Sequence, residues 1–295
     1  MRWTTTQLEA LEAVCRLGTF AEAARELHLT PGALSQRIHA LEADLGEPVV
    51  VRTQPAVPTE AGKVVLGIAR KYLLAQAEAE SALLSAHGRS ADPVSVRIAI
   101  NADSVSTWFR PVVTQIAERT NWLLDLHIED QDWSSRMLRD ARVMAAVTTD
   151  PRPIQGCRAE RLGTMHYIPV ASRALLARTG LATPADLLRV PTLKFDRRDT
   201  LTDDLLNQLG VQGQPPTHFI PSNREYLDAV HSGLGWSVLP SDQIAEEPYR
   251  SDLVRIMEPY VVSVSLYWHR WRTPSETLDD LSAMVRKAAA SLTSH

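Results

Sequence analysis

Cysteine is scarce. The 295-residue chain has two, Cys15 and Cys157, too few and too far apart in sequence for a disulfide framework or a thiolate metal site. Long apolar runs are missing as well: no stretch approaches the ~18 to 20 residues that a helix needs to span a bilayer. The start MRWTTTQLEALEAV has neither the charged opening nor the apolar run of a secretory signal, so no membrane partner is expected and the expected address is the cytoplasm. Catalytic and cofactor motifs are equally absent, with no GxSxG elbow, no GxxxxGK phosphate loop and no dinucleotide glycine pattern. None of the nine histidines stands at a metal-ligand spacing such as HExxH, so neither metal nor cofactor is expected. A strong excess of one charge is lacking too. The net charge of -4 argues against indiscriminate polyanion binding, although it says nothing about a local patch.

What is present is patterning. Apolar residues at 44% and charged residues at 22% are ordinary for a globular protein, and the length exceeds one compact core, so two or three domains are expected. In TTTQLEALEAVCRLGTF, Leu8, Leu11 and Cys15 share a helical face, Thr4 to Thr6 offer caps, and Gly18 ends the pattern. FAEAARELHL places Phe20, Ala23, Ala24 and Leu27 on one face of a short second helix. In TPGALSQRIHALEADLG, Thr30 caps, Pro31 suits the first helical position, and Leu34, Ile38, Leu41 and Leu45 make the buried stripe before Gly46. The opposite face of this third helix carries Ser35, Gln36, Arg37 and His39. PVVVRTQPAVPT then reads as a two-stranded wing, with Arg52 and Thr53 on it.

Three short helices with a tight turn at HLTPG make a helix-turn-helix, whose third helix fits a DNA major groove. The candidate DNA contacts are Thr30, Ser35, Gln36, Arg37, Arg52 and Thr53. Composition favours the rival reading of a plain helical bundle, since residues 1–60 hold five arginines and no lysine against eight acids. At this point a resemblance enters. GTFAEAARELHLTPGALSQRIHALEADLG followed by VRTQPAVPTEAG resembles, in order and spacing, the winged helix-turn-helix of the LysR-type transcriptional regulators. Pro31 departs from the glutamine often found at its place and Val50 from a phenylalanine, which leaves base reading to Ser35, Gln36 and Arg37.

From Thr59 a long helix runs to about His87, with Val65, Ile68 and Tyr72 at coiled-coil spacing, and GRSADP follows as a hinge. The resemblance implies that this linker helix pairs two subunits, as a homodimer or within a homotetramer. Domains are therefore expected at residues 1–58, 59–90 and 91–295.

Beyond Pro93 strands such as VSVRIAIN, LLDLHIED, VMAAVTT and HYIPVAS alternate with helical stretches, which argues for parallel sheets in two α/β lobes with a ligand crevice at the strand carboxyl ends. The phrase INADSVSTWF joins a strand end to a helix start. Ser104, Ser106, Thr107 and the free amides there, with Trp108 beside them, suit a carboxylate, and Asp103 suits an ammonium; together they point to an α-amino acid. Glu129 and Asp130 end the next strand and would meet a basic side chain, with Thr148 and Thr149 as neutral donors and Ser222 and Asn223 closing from the second lobe. Plain helix capping is the alternative for the junction residues and the acids, and a solvated turn for Ser222 and Asn223. Trp236, Trp268 and Trp271 read as core, the last two pointing to opposite faces of a strand.

INADSVSTWF, IEDQD, AAVTTD, LGTM, GLGW and YWHRW look like the LysG/ArgP branch of the family, regulators of basic amino acid export. That likeness implies lysine, arginine or histidine as effector, an exporter gene as target, and operator DNA as partner. The fold class implied is α+β multidomain: an N-terminal winged helix-turn-helix, a long linker helix, and a C-terminal two-lobed α/β effector domain like the periplasmic binding proteins. The rival is an amino-acid-processing enzyme using Asp103 and Glu129 as a carboxylate pair.

Overall fold

The computed structural model describes residues 3–90, 92–119, 121–129 and 131–292, apart from the side chains of Gln131 and Asp132. The chain opens with α1 (Thr5–Leu17), α2 (Phe20–Glu26) and α3 (Pro31–Leu45). Thr4, Thr19 and Thr30 each accept a first-turn backbone N–H, satisfying a donor that the helix itself leaves free. Leu8, Leu11 and Val14 meet Ala23, Ala24, Leu34, Ile38 and Leu41 in one core. The wing is β1 (Val50–Val51) antiparallel to β2 (Val57–Pro58).

Helix α4 (Glu60–Ala86) follows, capped by Thr59. Its first turn touches the wing so closely that a Cβ on Gly62 would stand 1.9 Å from the Val49 carbonyl oxygen. Gly62→Ala is therefore expected to force α4 off the wing and to cost about 2–3 kcal/mol, read as a lowered midpoint of thermal unfolding.

The helix presents three distinct faces. Val65, Leu66 and Ala69 belong to the amino-terminal core. Arg70, Leu74 and Glu78 face the carboxy-terminal domain, where Glu78 accepts from the Ser275 hydroxyl (2.6 Å) and the Thr277 amide (2.9 Å). The third face is outward and apolar: Val64 at 67% exposure, Ile68 at 46%, Tyr72 at 46% and Leu83 at 65%. Val65, expected in the outward seam, is 2% exposed and faces inward, one residue round the helix from Val64. Spacing alone marks all these residues as apolar without assigning each to its neighbour.

The remaining elements are β3 (Val94–Ile100), α5 (Ala102–Ser106), α6 (Arg110–Ala117), β4 (Trp122–Ile128), α7 (Gln131–Arg139), β5 (Ala145–Thr148), β6 (Cys157–Ser172), α8 (Arg173–Thr179), β7 (Thr192–Lys194), α9 (Leu201–Gln208), β8 (Thr217–Phe219), α10 (Asn223–His231), β9 (Ser237–Pro240), α11 (Tyr249–Asp252), β10 (Leu253–Arg255), β11 (Val262–Trp271) and α12 (Glu276–Ala289). Strands β3, β4 and β5 are parallel, as alternation predicts. The long strands β6 and β11 are antiparallel and make the sheet mixed, in the order β10-β6-β11-β5-β3-β4 with β9 also on β6. One half of β6 pairs with β11 beside the first lobe; the other half carries β9 and β10 in the second. Tyr167 stands at the junction, opposite both Val262 and Pro240. The three tryptophans are buried, and Trp268 donates to Ser282 of α12 (3.0 Å) while Trp271 lies under Lys71 of α4.

Candidate functional site

Parallel pairing sets the rim of the first lobe. Ile100 lies opposite Ile128, and the Glu129 amide donates to the Ile100 carbonyl (3.1 Å), so β3 and β4 end side by side. Asn101, Asp103 and Glu129 consequently look into the crevice beyond the strand ends. Across from them stand the segment after β7, Asp204 of α9, and Asn223 and Tyr226 of α10. Together they enclose a cavity of about 350 Å³, a small-molecule volume.

The charge on its wall is lopsided. Among the described residues, Asp103, Glu129, Asp196, Asp199 and Asp204 face one guanidinium, Arg198, which already donates to Asp196 (2.9 Å). Asp199 accepts from the backbone amides of Phe195 and Leu201, both at 3.0 Å. Burial pushes the Asp103 carboxyl up to about 6, against a hydrogen bond from Tyr167, and the negative charge of Asp199 adds to the rise. Burial likewise raises Asp199 in spite of its two amide donors. Lys194 is paired with Asp203 (2.7 Å). Two carboxylates from opposite lobes thus share one cavity, each raised by burial, an environment that favours a cation over an anion. Among the described residues no group of three or more His, Cys, Asp and Glu could hold a metal ion.

Of the residues read from sequence, Asp103, Glu129 and Asn223 line the cavity; Asp130 lies outside the described residues. Ser104, Ser106, Thr107, Trp108, Thr148, Thr149 and Ser222 do not line it. Helix α5 is only five residues long, so its hydroxyls close on their own turn: Ser106 and Thr107 donate to the Asp103 carbonyl at 3.1 and 2.6 Å. Ser104 is buried, and Trp108 packs edge-on against Phe109. Thr148 is buried too, donating to the Asp150 carbonyl (3.4 Å), while Ser222 turns to Glu225.

Ser106 nonetheless has a job at the cleft. Its oxygen accepts from Asn223 (3.2 Å) and Gln243 (3.2 Å), and Asn223 also donates to the Ala102 carbonyl (2.9 Å), so these groups strap the lobes together. Sequence reasoning missed Asp196, Asp199 and Asp204. The signal was available, because KFDRRDTLTDD follows the strand PTLKF as IED follows LLDLH.

The second surface is α3 with the wing. Gln36 is exposed and Ser35 and Arg37 are half-buried. The Thr30 hydroxyl accepts from the Ala33 amide (3.2 Å), and the Thr53 hydroxyl donates to the Pro55 carbonyl (2.8 Å). Arg52 reaches back from the wing to His39 of α3 (3.1 Å) and lies over the Phe20 ring, which fixes wing and helix as one surface. Two acids that make the module negative are engaged away from it: Glu12 is buried and Glu26 pairs with Arg16, whereas Glu42 of α3 accepts from the Val49 amide (3.0 Å) and lies 3.3 Å from His39.

Known proteins match over almost the whole chain. Residues 5–63 match the bacterial regulatory helix-turn-helix of the lysR family, and residues 93–290 the LysR substrate binding domain. The lysine export transcriptional regulatory protein LysG of Corynebacterium efficiens is 40% identical over 284 residues, covering 96% of each chain. A crystal structure of ArgP from Mycobacterium tuberculosis superposes with a TM-score of 0.85 at 39% identity, covering 98% of both chains. Full-length LysG from Corynebacterium glutamicum with bound effector Arg gives 0.79 at 34% identity, covering 99% of this chain and 100% of that one.

Proposed function

Because the chain belongs to the LysR family of bacterial transcriptional regulators, we infer that its inter-lobe cavity binds a basic amino acid and that occupancy controls transcription of an amino acid exporter gene. The protein is a DNA-binding regulator and not an enzyme, and it works in the cytoplasm, where its operator is. The carrying observation is a wall that, among the described residues, sets five carboxylates against one arginine. Zwitterions without a basic side chain bring no net positive charge to that wall; lysine, arginine and protonated histidine do. Asp103 and Asp199 take the α-ammonium between the lobes, while Glu129, with Asp204 opposite, meets the side-chain cation. The relatives support the reading, since one is a lysine export regulator and another holds arginine as its effector.

Calorimetry across the twenty amino acids tests it. Heat with lysine, arginine or histidine and none with neutral or acidic residues is the expected pattern; equal binding of neutral ones, or no binding of basic ones, ends the proposal.

On the DNA side, α3 enters the major groove and Arg52 follows the backbone beside it. Gln36→Ala should cost about 1–3 kcal/mol at a preferred operator and relax its sequence preference, whereas Arg37→Ala, if its contact is a phosphate, weakens all sites alike. Footprinting of both variants on operator and unrelated DNA separates these outcomes, and unchanged footprints in both would remove α3 as the reading helix. Two subunits pair along the outward stripe of α4, where Ile68 and Tyr72 lie.

A further inference from the structure

One buried ion cluster joins three parts of the chain. Glu12 of α1 is 7% exposed. Its carboxylate meets Arg97 of β3 (3.0 Å), Arg70 of α4 (3.4 Å) and Arg16 a turn further along α1 (3.1 Å). Arg70, equally buried, donates from Nη1 to the Ala141 carbonyl (2.7 Å) in the turn between α7 and β5.

Burial opposes the charge on Glu12, and the pull of the three arginines outweighs it, so the carboxyl is held below its usual range. Burial also pulls Arg70 down to about 10. Such a cluster adds little net stability over an apolar contact, yet loss of one partner leaves charges buried and uncompensated. It therefore specifies one arrangement of the domains more than it strengthens the fold.

Arg97 and the ligand wall are parts of one strand: β3 runs from Val94 to Ile100, and the next residues are Asn101, Ala102 and Asp103 of the cavity. On the other side of the cluster, α1 shares its core with the reading helix α3. We propose that Glu12 is the positioning residue that couples effector occupancy to DNA binding, by holding β3 and the linker helix against the helix that supports α3. Ligand that closes the lobes moves the end of β3, and Glu12 passes that displacement to α1 rather than letting it dissipate at the hinge. Coupling of this kind is a difference in ligand affinity between two domain arrangements, reciprocal between effector and operator. The inference rests on the effector reading for the identity of the ligand and not for the cluster.

The test uses the full-length protein with Glu12→Gln, which removes the charge and keeps the shape, and with Arg97→Met, which leaves the Glu12–Arg70 contact in place. Arg97→Lys is the conservative control. Operator affinity is measured with and without arginine or lysine, effector affinity by calorimetry, and amide hydrogen exchange without ligand. Both variants should bind effector within about threefold of wild type, lose most of the effector-dependent change in operator affinity, and exchange the amides of α1 and β3 about tenfold faster or more. Arg97→Lys should restore a large part of the coupling. A full effector response in folded Arg97→Met, or unchanged exchange in both variants, overturns the proposal. Absence of effector binding in the wild type would instead remove the effector reading, and exchange alone would then judge the cluster.

Discussion

Asp103→Asn is expected to weaken binding of arginine and lysine by about 100-fold, the scale of one lost charge-assisted contact to a cation, while making the ligand-free protein more stable. The two effects have one cause. Asp103 has its carboxyl raised from 3.8 to about 6, chiefly by burial. Below about pH 4 both folded and unfolded chains hold the proton, and Asp103 makes no difference. Between about 4 and 6 the folded protein binds the proton more tightly, so stability falls as pH rises, and above about 6 the whole penalty is present. Allowing for the part of the side chain that water reaches, the penalty is about 1–2 kcal/mol.

A ligand ammonium relieves that penalty, so effector affinity should drop as pH falls through about 6 in the wild type and lose most of this dependence in Asp103→Asn. Thermal unfolding of ligand-free protein at pH 5 and 7.5, with calorimetry at both, reads every term. A lower midpoint with unchanged ligand affinity would mean that Asp103 only supports its helix start, and the site assignment would fall.

The second large effect separates two apolar residues of α4 that stand three positions apart. Val65→Glu puts an uncompensated charge into the core shared with α1 and α3 and should cost about 3–5 kcal/mol, enough to unfold the amino-terminal module. Ile68→Glu places the same charge on the outward stripe, where the monomer tolerates it and a partner helix does not. Light scattering should show Ile68→Glu as a folded monomer at micromolar concentration, with operator affinity reduced about 100-fold or more because two half-sites are no longer held together. A dimeric Ile68→Glu protein with normal operator affinity would move the subunit interface elsewhere.

Local rules made much of this protein legible. Threonine caps, closing glycines and the stripe Leu34, Ile38 and Leu41 specify α1 to α3 without help from distant residues, because capping and 3.6-residue periodicity are satisfied within a few turns. The same holds for Asp103 and Glu129, since parallel strands bring their carboxyl ends to one rim, with Glu129 directly after β4 and Asp103 in the first turn of the helix that follows β3. The serines and threonines of INADSVSTWF were less readable: whether a hydroxyl faces a ligand or its own carbonyl depends on how long the helix continues, and α5 stops after five residues.

The sequence by itself therefore determined the modules, their order and the two acids Asp103 and Glu129 on the first-lobe rim of the crevice, all consequences of short-range periodicity and of side-chain type. Tertiary structure alone decided which face of α4 meets which neighbour, brought Asp199 from the second lobe opposite Asp103, and set Arg70 and Arg97 on Glu12. Those pairings join residues 58, 85 and 96 positions apart. No local pattern encodes them, because only packing of the folded domains takes these charges out of water together, giving Glu12 its arginines and setting Asp199 against Asp103.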